Sequence, residues 1–128
     1  MKRIITIVVL FLGLITLATY EVVEVDKIIN KLENQVKILN EMVVNNKDDL
    51  SVVQNKITQV KNFWDKKEDD LCLMFNHKDL SSVTDTLTRL KSYIFNNDYD
   101  NAIAEVTLLE EYATKNRHIM GFNMQNLL

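Results

Sequence analysis

The sequence contains no proline, only two glycines and a single cysteine. Folds rich in turns and loops use proline and glycine at those turns, so their scarcity argues against such folds and favours long helices with few connections. The length of 128 residues suits one domain. The lone Cys72 excludes an internal disulfide and any motif that needs a cysteine pair.

Charge is unevenly placed along the chain. Residues 1–20 contain Lys2 and Arg3 and no acidic residue, whereas residues 21–128 contain 13 basic and 18 acidic side chains. A body with a net charge of −5 repels phosphate groups. We therefore expect no nucleic-acid partner.

Residues 4–20, IITIVVLFLGLITLATY, carry no charge. As an uncleaved anchor, this segment would span about 25 Å as a helix, and snorkelling by Lys2 and Arg3 with Tyr20 at the far interface would cover the rest of the bilayer core. As a signal peptide it would be cleaved and the body secreted, but Thr16-Leu17-Ala18 is a poor match to a cleavage site. We favour the anchor.

Both interpretations place the body outside the cytoplasm. The basic N-terminus is expected to stay in the cytoplasm by the positive-inside rule, which predicts a single-pass protein of the cell membrane. We divide the chain into a membrane anchor, residues 1–20, and an extracytoplasmic helical bundle, residues 21–128.

Four apolar stripes with the three-and-four spacing of a helix follow. Asparagine and aspartate predominate in the segments 45–49, 76–79 and 96–98 that separate them, and both residue types form turns. We expect the second stripe to form one helix of about 28 residues, and Gly121 to end the fourth helix. The stripes are Val22, Val25, Ile29, Leu32, Val36, Leu39 and Val43; Leu50, Val53, Ile57, Val60, Trp64, Leu71, Met74 and Phe75; Leu80, Val83, Leu87, Leu90 and Ile94; and Ala102, Val106, Leu109 and Ala113, widened by Ile103 and Tyr112.

These patterns predict an all-α fold, with an N-terminal membrane helix followed by an up-and-down antiparallel four-helix bundle of two long and two shorter helices. The first two bundle helices are expected to measure about 37 and 42 Å, and the last two about 25 Å each. The turn at 45–49 would then protrude as a two-helix tip. Ser82 and Asp85 match the capping-box spacing for the third helix, with Asp79 as an alternative cap.

Residues suited to catalysis are few. His77 lies beside Asp79 in a predicted turn, His118 lies near a helix end, and neither has a partner at metal-ligand spacing. The acidic run 68–70 lacks the alternating ligands and the glycine of a calcium loop, so a solvated helix face is expected. Cys72 has apolar neighbours and is expected to be inert. We expect no enzyme, no cofactor and no bound metal.

Six side chains form a candidate face for a partner. Trp64 falls on an apolar stripe, so a core position is its default, whereas Phe63 points off the stripe. Arg89 either pairs with an acid on a neighbouring helix, such as Glu105, or contacts a partner or a lipid headgroup together with its neighbours. The candidates are Phe63, Trp64, His77, Arg89, Lys91 and Tyr93.

The order of several motifs resembles a known family. After the membrane segment come Trp64, then Asn76-His77, then Arg89-Leu90-Lys91-Ser92-Tyr93-Ile94, and the chain closes with Gln125-Asn126-Leu127-Leu128. This order is similar to the family called domain of unknown function 4363, small single-pass membrane proteins of spore-forming Gram-positive bacteria. Asn76 departs from the acidic residue often found there, and the tail lacks the family's frequent proline. The resemblance implies no known enzyme activity and an accessory role beside other membrane proteins.

Three functions follow as hypotheses. The first is a non-catalytic, membrane-anchored interaction protein, held in the bilayer by residues 4–20 and acting on a neighbouring membrane or envelope protein. The second is a module that binds a small apolar or lipid-like ligand between its helices. The third is an enzyme that uses His77 with Asp69 or Asp79.

Overall fold

The structure, a computed structural model, describes residues 1–45, 49–72 and 75–127, with side chains up to residue 115. Four α-helices account for nearly all of these residues, and no strand occurs among them. The first helix, α1, carries both the apolar N-terminal segment and the first stripe of the bundle. The helices are α1 (Lys2–Asn45), α2 (Leu50–Leu71), α3 (His77–Phe95) and α4 (Tyr99–Leu127).

The helices pack in a ring in which each touches two others. α1 and α3 both pack against α2 and against α4, and the diagonal pairs make no close backbone approach within the described ranges. Side chains that meet across neighbouring helices lie at equal distances from the connecting turn, as in antiparallel pairs. The all-α, up-and-down antiparallel bundle predicted from the sequence is therefore confirmed. The pairs are Lys31 with Phe63, Trp64 with Thr84, and Arg89 with Glu105.

The core consists of the apolar stripes. Most of the described stripe residues are buried. Val22 and Leu50 are half-buried at the start of their stripes, and of the two residues expected to widen the fourth stripe, Tyr112 is half-buried and Ile103 is 37% exposed. Met74 lies outside the described residues. Burial of each large aliphatic side chain contributes about 1.5–3 kcal/mol, so these stripes supply most of the favourable free energy of folding. The largest fully buried side chains include Trp64, Ile29, Leu32, Leu39, Ile57, Leu80, Leu87 and Leu109.

The N-terminal segment differs from the rest of α1. Residues 1–20 are exposed on all sides, and α1 runs on from them into the bundle without interruption. A window of this helix is long and apolar enough to cross a membrane, and none of it is buried against the protein. Such a window is weak evidence by itself, because a signal sequence near an N-terminus has the same properties.

The chain has two long and two shorter helices, but the second long helix is α4 and not α2. The expected single helix through the second stripe is wrong, because α2 ends at Leu71 with a tightened last turn, in which the Cys72 N–H donates to the Asp69 carbonyl oxygen at 3.3 Å. The expected stop at Gly121 is also wrong, because α4 continues to Leu127. One glycine inside a helix costs about 1 kcal/mol relative to alanine, which is too little to end it.

The expected two-helix tip is also wrong. The Asn40 side-chain amide donates a hydrogen bond to the Glu110 carboxylate, and Glu110 lies far into α4 whereas Asn40 is close to the end of α1. The start of α4 therefore reaches at least as far as the end of α1. Leu39 and Val43 are accordingly buried at this end, which we call the distal end. Residues 46–48 of the predicted tip lie outside the described residues.

Asparagine and aspartate form the helix boundaries, as predicted. Asn97 adopts a left-handed conformation with φ of 58°. Its N–H donates to the Ile94 carbonyl oxygen, and the Asp98 N–H donates to that of Tyr93, which is the Schellman arrangement usually built on glycine. The Asp98 carboxylate then accepts from the Asn101 N–H at 3.3 Å.

The cap of α3 differs from the expected one. Asn76 has an extended backbone, and its side-chain oxygen accepts from the Lys78 N–H at 3.1 Å. Neither Ser82 nor Asp79 is the capping residue, because the helix already begins at His77. Ser82 instead donates its hydroxyl to the Lys78 carbonyl oxygen. At the start of α2, Asp49 has the extended backbone of an N-cap, without a side-chain capping bond.

The left-handed residue gives a stability test. Replacing Asn97 with valine should destabilise the full chain by about 1–2 kcal/mol, because a β-branched side chain clashes with the backbone at positive φ. Asn97→Gly should be tolerated within about 0.5 kcal/mol. Asn96→Val is the matched control, since Asn96 has φ of −95°. The measurement is urea unfolding in detergent, and equal losses for the two valine variants would contradict the assignment.

Candidate interaction surfaces

The six candidate residues do not form one surface. Phe63 lies on the side of α2 that faces α1, where the ammonium of Lys31 sits 4.6 Å from the centre of its ring. His77 is exposed at the first turn of α3. Residues two apart on a helix point to nearly opposite sides, so Lys91 cannot share a face with Arg89 or Tyr93. The sequence predicted the candidate residues but not their arrangement around the four-helix bundle.

Trp64 belongs to the core and not to a partner-binding face. Its side chain is 0% exposed, and its indole N–H donates to the Thr84 hydroxyl at 2.8 Å. The Thr84 hydroxyl in turn lies 2.9 Å from a carboxylate oxygen of Glu68, to which it donates. A buried indole N–H needs such an acceptor, because leaving it unpaired costs about 1–3 kcal/mol. This chain of hydrogen bonds fixes the register of α2 against α3.

The sequence analysis missed two members of that chain. Glu68 was expected on a solvated face, but it is half-buried between α2 and α3. Thr84 stands beside the stripe residue Val83, and nothing in its spacing distinguishes it from Thr88, which is exposed. The sequence contained one signal for this contact: the indole N–H of a buried tryptophan requires a hydrogen-bond acceptor on a neighbouring helix.

Arg89 forms the expected ion pair with Glu105. Its Nε lies 3.1 Å from a Glu105 carboxylate oxygen, and its Nη2 lies 3.4 Å from the Thr86 hydroxyl. The hydrogen bond to Glu105 raises the pKa of Arg89, against a smaller opposing effect of desolvation. The Arg89 side chain is 46% exposed, so solvent screens the pair and its contribution to stability is small. The contact joins α3 to α4 and occupies the guanidinium.

Lys91 and Tyr93 lie on different sides of α3. The ammonium of Lys91 is 5.6 Å from the centre of the Phe95 ring, and both side chains point toward α2. Tyr93 is half-buried and packs against the core on the side of α4. Of the six candidates, His77, Arg89, Lys91 and part of Phe63 and Tyr93 remain accessible.

Among the bundle residues between 21 and 115 whose side chains are described, the exposed large apolar side chains concentrate at the distal end. Four large ones each lie within five residues of a helix boundary there, and they are between 37% and 50% exposed. Two others, Val23 and Ile38, lie elsewhere on α1. The sequence analysis missed this group because Val44, Val52 and Phe95 fall off the stripes and Ile103 was assigned to the widened fourth stripe. We call it the distal apolar group; its members are Val44, Val52, Phe95 and Ile103.

A groove lies at the opposite end, between α1 and α2, and we call it the proximal groove. It has a volume of about 360 Å³ and begins at Tyr20, where the all-round apolar surface of α1 ends. Four carboxylates and one ammonium line it, together with the apolar side chains of Val25 and Ile28. The described residues that line it are Tyr20, Glu21, Glu24, Val25, Ile28, Lys67, Asp69 and Asp70.

Comparison with known proteins gives one match. Residues 19–127 match the family described as domain of unknown function (DUF4363). The chain belongs to this family. The matched range covers all four helices of the bundle and leaves out most of the apolar N-terminal segment. The resemblance noted in the sequence is thus confirmed at the level of the family. No curated protein and no solved structure matches the chain.

The contact between Trp64 and Thr84 can be tested by mutation. Thr84→Val should destabilise the bundle by about 1–3 kcal/mol, because it leaves the buried indole N–H without an acceptor. Thr88→Val is the matched control, since Thr88 is exposed and its hydroxyl donates only to the Thr84 carbonyl oxygen. In a double-mutant cycle, Trp64→Phe should remove most of the effect of Thr84→Val. Additive losses measured by urea unfolding would show that the two side chains do not interact.

Proposed function

We propose that this protein is a non-catalytic, membrane-anchored interaction protein that presents its distal end to a neighbouring membrane or envelope protein. The observation that carries this proposal is the distal apolar group. Large apolar side chains scattered singly over a surface are ordinary, but their concentration at one end of a domain is typical of an interaction site. Of the six large apolar side chains exposed on the described part of the body, between residues 21 and 115, four lie at the distal end.

The anchor supports the same proposal. Residues 4–20 are apolar on every side and fully exposed, which suits contact with lipid. Seventeen helical residues cover about 25 Å of the roughly 30 Å hydrocarbon core. The 25 residues of α1 from Glu21 to Asn45 then hold the distal end about 37 Å above the apolar segment. A single-pass protein of the cell membrane, with its N-terminus in the cytoplasm and its bundle outside, fits these properties.

The two alternative functions receive less support. A ligand held between helices would need an apolar cavity inside the bundle, whereas the proximal groove opens at the surface and carries charged side chains. An enzyme based on His77 would need a carboxylate directed toward it. Asp79 lies two residues further along α3 and points to the opposite side of the helix.

Site-specific crosslinking tests the distal contact. A photo-crosslinking amino acid at Val52 or Phe95 should form adducts with one extracytoplasmic protein in intact cells. Asn55 and Ser92 are matched control positions, since they are exposed and lie on the same helices close by. Adducts at the distal positions alone support the proposal. Equal labelling at all four positions, or none at Val52 and Phe95, would rule out the distal end as the contact.

Cysteine labelling tests the topology. In a Cys72→Ser background, Asn45→Cys should react with a membrane-impermeant maleimide on intact cells, and a cysteine inserted between Met1 and Lys2 should react only after permeabilisation. Lys2 and Arg3, both retained in this variant, are expected to hold that end in the cytoplasm. Reaction of both before permeabilisation would contradict the orientation. Loss of residues 1–20 from the mature chain, seen by mass spectrometry, would instead show cleavage.

A further inference from the structure

A strip of basic and apolar side chains runs along the outside of the contact between α1 and α2, and we call it the basic seam. Its register is fixed by Lys31, whose ammonium lies 4.6 Å from the centre of the Phe63 ring. Ile38 comes two turns along α1 from Lys31, and Lys56 comes two turns back along α2 from Phe63. Because the two helices run antiparallel, Ile38 and Lys56 lie at the same level. The basic seam consists of Lys31, Ile38, Met42, Val52, Lys56 and Phe63.

The distal half of the basic seam is an apolar patch. Met42 lies one turn beyond Ile38 on α1, and Val52 lies one turn before Lys56 on α2, which places Met42 and Val52 at the same level. Ile38 and Val52 are each 47% exposed, and Met42 is half-buried against the core. Val52 also belongs to the distal apolar group. The patch is therefore continuous with the surface that we propose as the contact for a neighbouring protein.

The charges of the basic seam are positive, although the body as a whole is acidic. Neither Lys31 nor Lys56 lies within ion-pair distance of a carboxylate in the part of the chain that the structure describes. On α1, Glu33 is buried with an ion pair of its own, and Glu41 lies on the outer face of the helix. On α2, residues 52–63 include no acidic side chain. The two ammonium groups are thus left for an anionic partner.

A buried acceptor without a donor lies between the two ammonium groups. Gln35 is half-buried, one turn along α1 from Lys31 and two turns from Ile28, which lines the groove between α1 and α2. Its side-chain oxygen is buried, and no donor among the described residues bonds to it. Buried polar atoms are normally paired. A polar side chain of another molecule would supply the missing bond, so Gln35 indicates an occupant independently of the charges.

The basic seam stands well above the lipid headgroups if residues 4–20 span the bilayer. Its levels run from Lys31 to Met42, which is about 16–33 Å of helix beyond Tyr20. The headgroup region of one leaflet is only about 5–8 Å thick. An occupant of the seam is therefore outside the membrane. Apolar side chains between the ammonium groups suit the amphipathic surface of a protein helix.

From these observations, we propose that the basic seam binds an acidic amphipathic helix of the neighbouring protein. The apolar side of that helix packs on Ile38, Met42 and Val52. Its carboxylates accept hydrogen bonds from Lys31 and Lys56. Two helical turns, about 10 Å, separate the levels of the two lysines, so the carboxylates are expected seven residues apart on the occupant. The inference rests on the proposed function, because it assigns the segment of the partner that contacts the bundle.

Synthetic helices provide the test. The full-length chain in phosphatidylcholine nanodiscs is titrated into labelled amphipathic peptides that share one leucine face and carry glutamate, glutamine or lysine at two positions seven residues apart. Empty nanodiscs measure the binding of each peptide to lipid. By fluorescence anisotropy, the glutamate peptide should bind about tenfold more tightly than the glutamine peptide, as two partly exposed ion pairs would give, and the lysine peptide most weakly. Equal affinities, no binding of the glutamate peptide or a preference for lysine would overturn the proposal.

Variants locate the binding site. Lys31→Gln combined with Lys56→Gln should abolish the preference for the glutamate peptide, because no ammonium then remains in the seam. Ile38→Ser should weaken binding of the glutamate and glutamine peptides alike by about tenfold, because it removes part of the apolar patch. An unchanged preference in the lysine variant, or unchanged binding to Ile38→Ser, would contradict the assignment.

Matched controls show whether any similar change of the surface has the same effect. Lys78→Gln removes an exposed ammonium from α3. Val44→Ser removes an apolar side chain that is 50% exposed on the α4 side of α1, one turn beyond Asn40. Both controls should bind the peptides as the unchanged chain does, and losses equal to those of the seam variants would overturn the assignment. Urea unfolding in detergent confirms that every variant compared is folded.

A failure of this proposal can be told apart from a failure of the proposed function. Adducts at Val52 and Phe95 in cells, without binding of the glutamate peptide, would retain the distal contact and reject the acidic helix. Peptide binding without those adducts would support the seam and reject the distal contact. A dimer of the full chain, seen by native mass spectrometry and dissociated by Ile38→Ser, would assign the seam to a second copy and overturn the proposal.

Discussion

The apolar stripe of α1 from Val25 to Val43 is the surface against which both α2 and α4 pack. The same helix is apolar on every side before Glu21. Because no break separates the two parts, the rotation and height of the bundle relative to the apolar segment are set by helix geometry and not by a linker. The family match begins at residue 19, close to the point where the all-round apolar surface narrows to a stripe.

The two ends of the bundle differ in chemistry. The distal end carries exposed Val44, Val52, Phe95 and Ile103, whereas the proximal groove carries carboxylates and Lys67. Between them, the polar contacts join one helix to the next: Trp64 with Thr84, and Arg89 with Glu105. Trp64 and Arg89, which the sequence analysis named as candidates for partner binding, are therefore engaged in contacts between helices.

Periodicity predicted the core well because burial follows the helical spacing directly, and all five stripe residues of α3 are buried. It predicted the helix ends poorly. Phe75 is buried in the core although α2 has already ended at Leu71, so the apolar stripe extends beyond the end of the helix. The Glu68–Thr84 hydrogen bond joins two helices, and no spacing within one helix encodes it. The distal apolar group was missed because exposure off a stripe depends on where neighbouring helices stop.

The cyclic packing of the four helices affects the order in which their contacts form during folding. Three of its four contacts join helices that are adjacent in sequence, and such local contacts form early and fast. The fourth joins α1 to α4, with 70 residues between Asn40 and Glu110. In a chain made from its N-terminus, the side of the α1 stripe that α4 covers stays uncovered until the last helix has been synthesised. The helix made first is thus the last to be fully buried, and a chain that stops before Tyr99 leaves that side of α1 open to aggregation.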